Sequence, residues 1–463
     1  MDVAPMAMKR WFAAFFLTIL RGAAYAAQLV LFVLLLSVTN PQILRVSRTT
    51  AITLSSFAVL LVVFARIYGG FRIGEQKSRP IVYQMSLTVL LTDIITYLQL
   101  QIMNVNEKKN DSLELFGTDV LLLTFAFVLQ FFTIVLITHL GNYVYFKVNR
   151  PKRCCVISGS PEDAALICSK IRIFDKQFTI THIVDYRDSD LHEKIKKSQT
   201  VMLFHLPAAA HQELIEYSYK HEKDIYFDLS IGGILAQKAG SFLLDDVIMT
   251  AHTRNGLSLR QRFLKRALDI VVALVGLVIS SPVMLAAAIA IKFDDGGPVF
   301  YRQNRLTRGD VIFSIYKFRT MRADKNAREY SVLKDDDRIT KAGHILRRLR
   351  IDELPQLLNI LKGEMSVVGP RPEILSNFNK YIEKLPEYSY RCRVKAGLTG
   401  YAQIAGKYNT NPREKLMMDI SYIENYSFWL DIKLILKTAT VFFKRDSTEA
   451  YDSDPSRSND EAV

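Results

Sequence analysis

The chain has 463 residues, 49% of them hydrophobic and 23% charged, with a formal net charge of +14. That length holds roughly two to four domains, and the composition excludes a disordered chain and a small disulfide scaffold. A basic chain of this hydropathy is either nucleic-acid-binding or membrane-embedded, and the distribution of its apolar residues decides between the two.

Apolar residues crowd the first third. Residues 22–38, 51–65, 81–103 and 120–138 are four apolar segments, each near the ~20 residues a spanning helix needs. They predict a four-helix transmembrane bundle over residues 1–146. Residues 11–20, ahead of the first span, read as an interfacial helix, and no small-residue cleavage site makes that segment a signal peptide. Lys9 and Arg10 precede the first span, Arg66, Arg72, Lys77 and Arg79 lie between the second and third, and Lys147, Arg150, Lys152 and Arg153 follow the fourth. Residues 104–119 are acidic on balance, with Glu107, Asp111, Glu114 and Asp119 against Lys108 and Lys109; Arg45 and Arg48 alone sit on the other side. The positive-inside rule puts both ends of the bundle in the cytoplasm. Asp93 falls inside the third span, where an unpaired carboxylate costs roughly 2.5–3.5 kcal/mol, so a hydrogen bond from a neighbouring Thr or Gln is expected.

Residues 147–255 alternate strand and helix signals. Strands are expected at 154–157, 178–184, 201–206, 225–229 and 242–249, with helices at 161–173 and from 207 to about Tyr219. That alternation predicts a parallel, Rossmann-like cytoplasmic domain. The first turn, Ser158-Gly159-Ser160-Pro161, has one glycine where a dinucleotide fingerprint needs three. Asp185 alone is a weak ribose-binding signal. A regulatory or assembly module is the better reading. The four cysteines, Cys154, Cys155, Cys168 and Cys392, form no C-x-x-C pair, and the eight histidines have no zinc-ligand spacing, which fits a reducing compartment.

Residues 267–291 form a fifth apolar stretch. Ser280-Ser281-Pro282 falls at its middle, where proline removes a helix hydrogen bond. Lys265 and Arg266 precede it; Lys292, Arg302, Arg305 and Arg308 follow. Basic charge on both flanks predicts a re-entrant helix–break–helix with both ends in the cytoplasm, Ser281 and Pro282 making the break. A kinked spanning helix is the competing account.

The densest polar signals come next: Gly297-Pro298-Val299-Phe300-Tyr301-Arg302-Gln303 with Arg305 and Gly309, then Lys317-Phe318-Arg319-Thr320-Met321, then Asp337-Arg338-Ile339-Thr340. After these stand Arg347-Arg348-Leu349-Arg350-Ile351-Asp352-Glu353-Leu354-Pro355-Gln356, Ser366-Val367-Val368-Gly369-Pro370-Arg371-Pro372-Glu373 and Gly397-Leu398-Thr399-Gly400-Tyr401-Ala402-Gln403. Leu354, Leu357, Leu358 and Leu361 have helical spacing, so Asp352 and Glu353 are expected at a helix N-terminus, where the dipole keeps a carboxylate ionised. An ionised carboxylate can attack phosphorus or hold a hard metal ion. Arg319, Arg350 and Arg371 supply planar forks for phosphate oxygens. Simple helix capping explains Asp352 and Glu353 equally well on this stretch alone.

From about Phe263 to Arg445 the sequence resembles the bacterial sugar transferase family of phosphoglycosyl transferases, which start exopolysaccharide, capsule or O-antigen chains on undecaprenyl phosphate. Asp352-Glu353-Leu354-Pro355-Gln356 followed by Gly369-Pro370-Arg371-Pro372 carries most of the resemblance. Tyr401 stands where Trp is frequent. Four spans and a degenerate Rossmann-like module upstream resemble the long, galactose- or glucose-phosphate-transferring members. The resemblance implies a mainly α cytoplasmic catalytic domain over residues 256–445. The tail at 446–463 is acidic and polar and is expected to be disordered. It implies that Asp352 attacks the sugar-bearing phosphorus of a UDP-sugar and releases UMP, and that undecaprenyl phosphate then takes the phosphosugar from the aspartate. Glu353 would hold Mg²⁺. Arg371, Arg319, Arg350 and Gln356 would bind substrate phosphates, and Lys265 and Arg266 would meet the lipid phosphate. The location implied is the bacterial cytoplasmic membrane. The expected partners are the UDP-sugar, undecaprenyl phosphate, the bilayer and other polysaccharide-synthesis enzymes; a homodimer through the middle domain is one option, and nucleic acid is not expected. Glucose or galactose is the favoured sugar.

Residues 426–443 are apolar and aromatic with interspersed lysines, and read equally as an interfacial helix or a packed amphipathic one. Two rival functions remain. A membrane-tethered nucleotide-sugar dehydratase or epimerase needs a glycine fingerprint and a Tyr-x-x-x-Lys pair; Tyr330 and Lys334 have that spacing but lie after the fifth apolar stretch. A transporter or channel with a Rossmann-like sensor leaves the motifs of 297–403 without a purpose. Residues 1–146 carry 11 Lys+Arg against 7 Asp+Glu, which leaves a net +10 for the remainder. Much of that excess flanks apolar segments or lies in the phosphate motifs, so membrane orientation and phosphorylated substrates account for the charge.

Overall fold

The structure, a computed structural model, describes residues 3–105, 113–244, 247–251, 257–322, 338–406 and 410–441. Asp337, the Tyr330–Lys334 pair and the tail at 446–463 lie outside the described residues. The chain divides into two compact units, Met1–Asp228 and Leu229–Val463. Among the described residues, five helices are long and apolar enough to cross a membrane.

Four of those helices open the first unit: α1 (Val3–Leu36), α2 (Arg48–Tyr68), α3 (Ser78–Val105) and α4 (Leu113–Val148). Residues 11–20 are not a separate helix but part of α1, which runs on through Arg21. That arginine finds an acceptor, its Nη2 donating to the Ile73 carbonyl at 3.2 Å. Phe32, Phe57, Ile81, Met85 and Ile134 pack between the four helices. Asp93 is 1% exposed and accepts from Gln130 Nε2 of α4 at 3.3 Å, the neighbouring Gln the sequence called for. Asp119 is not a loop charge. It is buried in α4, where Thr39, Asn40 Nδ2 at 3.3 Å, Tyr97 OH at 3.2 Å and Gln101 Nε2 at 2.8 Å donate to it.

The rest of the first unit is β1 (Lys152–Ser158), α5 (Pro161–Arg172), β2 (Phe178–Asp185), α6 (Leu191–Lys197), β3 (Thr200–Phe204), α7 (Ala208–Lys220) and β4 (Asp224–Phe227). The four strands form a parallel sheet in the order β2-β1-β3-β4. Cys154 to Ile157 on central β1 are fully buried, as a strand covered on both faces must be. At the β1–α5 turn Ser160 caps the helix by accepting from Asp163 N at 3.1 Å, and Asp163 pairs with His205 Nδ1 at 2.8 Å.

The second unit begins with α8 (Ile231–Lys238) and a hairpin of β5 (Gly240–Leu244) and β6 (Val247–Ala251). The single strand expected at 242–249 is therefore two antiparallel strands, apart from the parallel sheet. Next come α9 (Leu259–Asp295), the antiparallel pair β7 (Phe300–Leu306) and β8 (Ile312–Phe318), α10 (Lys341–Arg348), α11 (Gln356–Lys362), β9 (Ser366–Val368), α12 (Leu375–Lys384), β10 (Gly397–Thr399), α13 (Tyr401–Ala405), α14 (Pro412–Glu424) and α15 (Phe428–Val441). Buried Ile234 of α8 joins Leu306, Phe378, Tyr388, Leu416 and Ile420 in one core. Leu434 of α15 packs with Ile360, Val367 and Tyr422 in another, while Trp429 is exposed, so α15 is a packed helix with one bare aromatic.

The 37 residues of α9 are one continuous helix, not a helix–break–helix. Pro282 has no N–H to offer the Val278 carbonyl four residues back. Ser281 Oγ donates to that carbonyl instead, at 2.8 Å, so no orphaned acceptor forces the helix apart. A capping box, Ser258 with Gln261, starts it, and Gly296 in the left-handed region ends it. Its two flanks pack into the same unit: Ala273 against Leu357 and Ile360, and Ala287 and Ile291 against Phe318 and Leu346. Its middle is bare, with Val278 and Ile279 each 73% exposed.

Candidate active site

A short bend carries the carboxylate pair. Arg350, after α10, adopts a left-handed backbone (φ 54°) and turns the chain into a 3-10 turn, Ile351–Glu353, that leads to α11. A non-glycine residue there costs of the order of 1–3 kcal/mol and persists only when its surroundings hold it. Asn359 of α11 supplies part of that hold. Its Oδ1 accepts from Tyr316 N at 2.9 Å and its Nδ2 donates to Ser314 O at 2.8 Å, locking α11 to β8. Lys317, the next residue on β8, brings its Nζ to 3.8 Å from Glu353 Oε1.

The third wall follows β9. The first turns of α9 anchor this strand: Asp269 Oδ1 accepts from Ser366 Oγ at 2.9 Å and Val367 N at 2.8 Å. Beyond it, Gly369 and Gly397 meet so closely that a Cβ on Gly397 would lie 2.1 Å from Gly369 N. That approach explains a glycine in each of the two motifs. Arg371 leaves this corner and donates from Nη2 to Glu353 Oε1 at 2.8 Å, while Arg350 Nη1 stands 4.0 Å from Glu353 Oε2.

The two carboxylates are pulled in opposite directions. Burial alone would raise Glu353, but Arg371, Lys317 and Arg350 outweigh it and hold the carboxyl well below the usual range. Asp352 is pushed up, first by burial and then by the Glu353 charge, with Lys317, Arg347 and Arg371 opposing. The expected effect of a helix N-terminus is thus not what governs Asp352: it precedes the seven-residue α11, and burial beside an ionised neighbour wins. Burial draws Lys317 down, with Glu353 opposing. Carboxylates with separated acidities are the usual mark of divided chemical roles.

A second charge network, which sequence reasoning missed, lies behind Arg371. Buried Arg391 donates from Nη2 to the Arg371 carbonyl at 3.0 Å and pairs with Asp419 at 2.8 Å and Glu373 at 3.4 Å. Its Nη1 also donates to Tyr388 OH at 2.5 Å. Arg305 Nη1 holds the Pro372 carbonyl at 3.0 Å. Burial raises Asp419 to about 6, against the pull of Arg391.

The structure thus gathers Asp352, Glu353, Arg350 and Arg371, and adds Lys317. Gln356 is buried at the start of α11. Arg319 turns into the fold, where a Cβ on Gly297 would fall 1.9 Å from its Nη1. Lys265 is buried and uses its three N–H donors internally, on Val368 O at 2.9 Å, Tyr422 OH at 3.0 Å and Asp431 Oδ2 at 2.8 Å. Arg266 closes the end of α11, donating to Ile360 O and Leu361 O at 2.7 Å each. Ser281 and Pro282 lie at the exposed middle of α9. The available signal for Lys317 was a lysine inside an otherwise apolar strand.

Residues 260–445 match the family model described as bacterial sugar transferase. A UDP-N-acetylgalactosamine-undecaprenyl-phosphate N-acetylgalactosaminephosphotransferase of Aeromonas hydrophila is 42% identical over 180 residues, 38% of this chain and 43% of the relative. A UDP-glucose:undecaprenyl-phosphate glucose-1-phosphate transferase of Caulobacter vibrioides is 40% identical over 189 residues, 40% of this chain and 71% of the relative. An undecaprenyl-phosphate galactose phosphotransferase of Salmonella typhimurium is 35% identical over 254 residues, 51% of this chain and 52% of the relative. The chain belongs to the bacterial sugar transferase family. The match spans about half the length of the Aeromonas and Salmonella relatives.

Proposed function

We propose that this protein transfers a sugar 1-phosphate from a UDP-sugar to undecaprenyl phosphate and so starts an exopolysaccharide, capsule or O-antigen repeat unit. The carrying observation is the half-buried Asp352–Glu353 pair, with its acidities drawn apart, set among Arg371, Lys317 and Arg350 in a member of this family. Asp352, the more basic carboxylate, attacks the sugar-bearing phosphorus; the diphosphate P–O bond breaks and UMP leaves. An oxygen of undecaprenyl phosphate then attacks the same phosphorus, and the Asp352 carboxylate departs. Arg371, Lys317 and Arg350 offset phosphate charge, and Arg391 holds the Arg371 backbone in place. Glu353, kept ionised, fits as a Mg²⁺ ligand together with substrate phosphates, because an ionised carboxylate is a hard oxygen ligand. When bound, that ion would neutralise charge on the diphosphate.

The packing of α9 supports a membrane segment that stays helical but bends at Pro282, and so enters and leaves on one face. One folded unit grips it at Arg266 and again at Ile291. Those points are about 38 Å apart along a helix rising 1.5 Å per residue, more than the ~30 Å of a hydrocarbon core. A helix crossing the bilayer would put the two grips on opposite sides. The bare stretch around Val278 and Ile279 is then the part in lipid, and the catalytic unit works on the cytoplasmic face of the bacterial cytoplasmic membrane; the same chain carries a four-helix bundle and a Rossmann-like module. A homodimer and other polysaccharide-synthesis enzymes are the protein partners this role would bring.

Membranes containing the full chain, supplied with undecaprenyl phosphate and a panel of UDP-sugars, test the reading. UMP release with UDP-glucose or UDP-galactose, abolished by Asp352→Ala, is expected. Activity retained in that variant overturns the mechanism.

A further inference from the structure

A cleft separate from the carboxylate site lies between the β7–β8 hairpin and α11. It has a volume of about 530 Å³ and is lined by Phe300, Arg302, Tyr316, Leu358, Leu361 and Lys362. Its apolar walls are open: Phe300 is 48% and Leu358 38% exposed. Two cations flank one ring. The Arg302 guanidinium lies 5.0 Å from the Tyr316 centroid and Lys362 Nζ 4.5 Å from it, and Lys362 also donates to Tyr316 OH at 2.6 Å. Among the described residues neither cation has a carboxylate partner.

Apolar walls with two uncompensated cations fit an amphiphile with an anionic head; a soluble anion needs no such walls. The position narrows the choice of amphiphile. Tyr316 and Lys317 are successive residues of β8, so Lys317 faces Glu353 while the Tyr316 ring leaves the other face of the strand, and α11, which follows directly on the carboxylate pair, runs to the cleft at Lys362. The same strand and helix therefore carry both the cleft and the reacting groups. We propose that this cleft receives the polyprenyl phosphate acceptor before transfer, holding its phosphate between Arg302 and Lys362 and its first isoprenyl units along Phe300, Leu358 and Leu361, from where the phosphate moves along α11 to the carboxylate pair. This inference rests on the transferase reading above and gives that reaction a place for its second substrate.

The test uses the full chain in phosphatidylcholine nanodiscs with Arg302→Gln, Lys362→Gln and the charge-keeping Arg302→Lys. Each Gln variant is expected to weaken binding of a fluorescent polyprenyl phosphate, and to raise the KM for undecaprenyl phosphate, by about tenfold or more, the loss of one charge-assisted contact. Arg302→Lys recovers part of this, and the KM for the UDP-sugar stays where it is. Unchanged lipid binding overturns the proposal. So does a defect that follows the phosphatidylglycerol content of the bilayer, which marks a bulk-lipid site, or one that moves both KM values together, which marks a folding defect. Wild-type protein that releases no UMP would overturn the transferase reading instead, and the binding data would still decide the cleft.

Discussion

Replacing Lys265 by Met separates two accounts of the basic residues that open α9. The family resemblance implies that Lys265 meets a lipid phosphate; the structure surrounds it with Val368 O, Tyr422 OH and Asp431 Oδ2, and the Asp431 side chain is 1% exposed. Met has nearly the volume of Lys but strands the Asp431 charge. Removing one partner of a buried pair costs about 3–5 kcal/mol. Asp431 keeps the Tyr422 hydroxyl at 2.7 Å, which favours the lower end. For a unit of this size, roughly 2–4 °C of Tm is lost per kcal/mol, so thermal unfolding of the full chain in detergent should fall by about 6–20 °C. The double variant Lys265→Met/Asp431→Asn should lose less than the two single changes together, because no stranded carboxylate remains. A Lys265→Met protein whose Tm stays within about 2 °C of wild type, but whose KM for undecaprenyl phosphate rises, would refute the structural role and restore the lipid one.

The remaining predictions concern the carboxylates and the membrane segment. Asp352 acts ionised, so the rate should fall on acidification, with an apparent pKa above the ordinary ~3.9 of an aspartate, because burial and the Glu353 charge raise it. Glu353→Gln removes that charge and frees Lys317 and Arg371 to act on Asp352, so the acid limb of the residual rate should move to lower pH; an unmoved limb contradicts the coupling. Single cysteines at exposed Arg262 and Lys292, probed with an impermeant thiol reagent in sealed vesicles of known orientation, should both label from the cytoplasmic face. Labelling from opposite faces would make α9 a spanning helix.

What was legible in the sequence was local. Runs of apolar residues mark α1 to α4 and α9, alternating strands mark the parallel sheet, and the Asp352–Gln356 and Gly369–Glu373 motifs mark the carboxylates and Arg371. What was not legible depends on partners far along the chain. Nothing near Lys265 announces Val368, Tyr422 or Asp431, and nothing near Arg391 announces Asp419. The hairpin of β5 and β6 read as one strand because Asp245 and Asp246, between two apolar runs, lack the Gly or Asn-Gly that usually signals a tight turn. Pro282 read as a break because the serine beside it, which satisfies the freed carbonyl, looks from sequence like part of the interruption. The basic motif at 317–319 offered two cations, and only three-dimensional packing shows Lys317 facing Glu353 while Arg319 turns onto Gly297.

The most direct measurement is the mass of the protein itself. Purified full-length chain is incubated with its UDP-sugar and Mg²⁺ but no lipid acceptor, quenched in acid and digested. The account predicts one sugar phosphate added to the peptide that carries Asp352, formed with a stoichiometric burst of UMP, lost on addition of undecaprenyl phosphate and absent from Asp352→Asn. Turnover with no modified peptide at any time, or the same adduct in the Asp352→Asn protein, would contradict it.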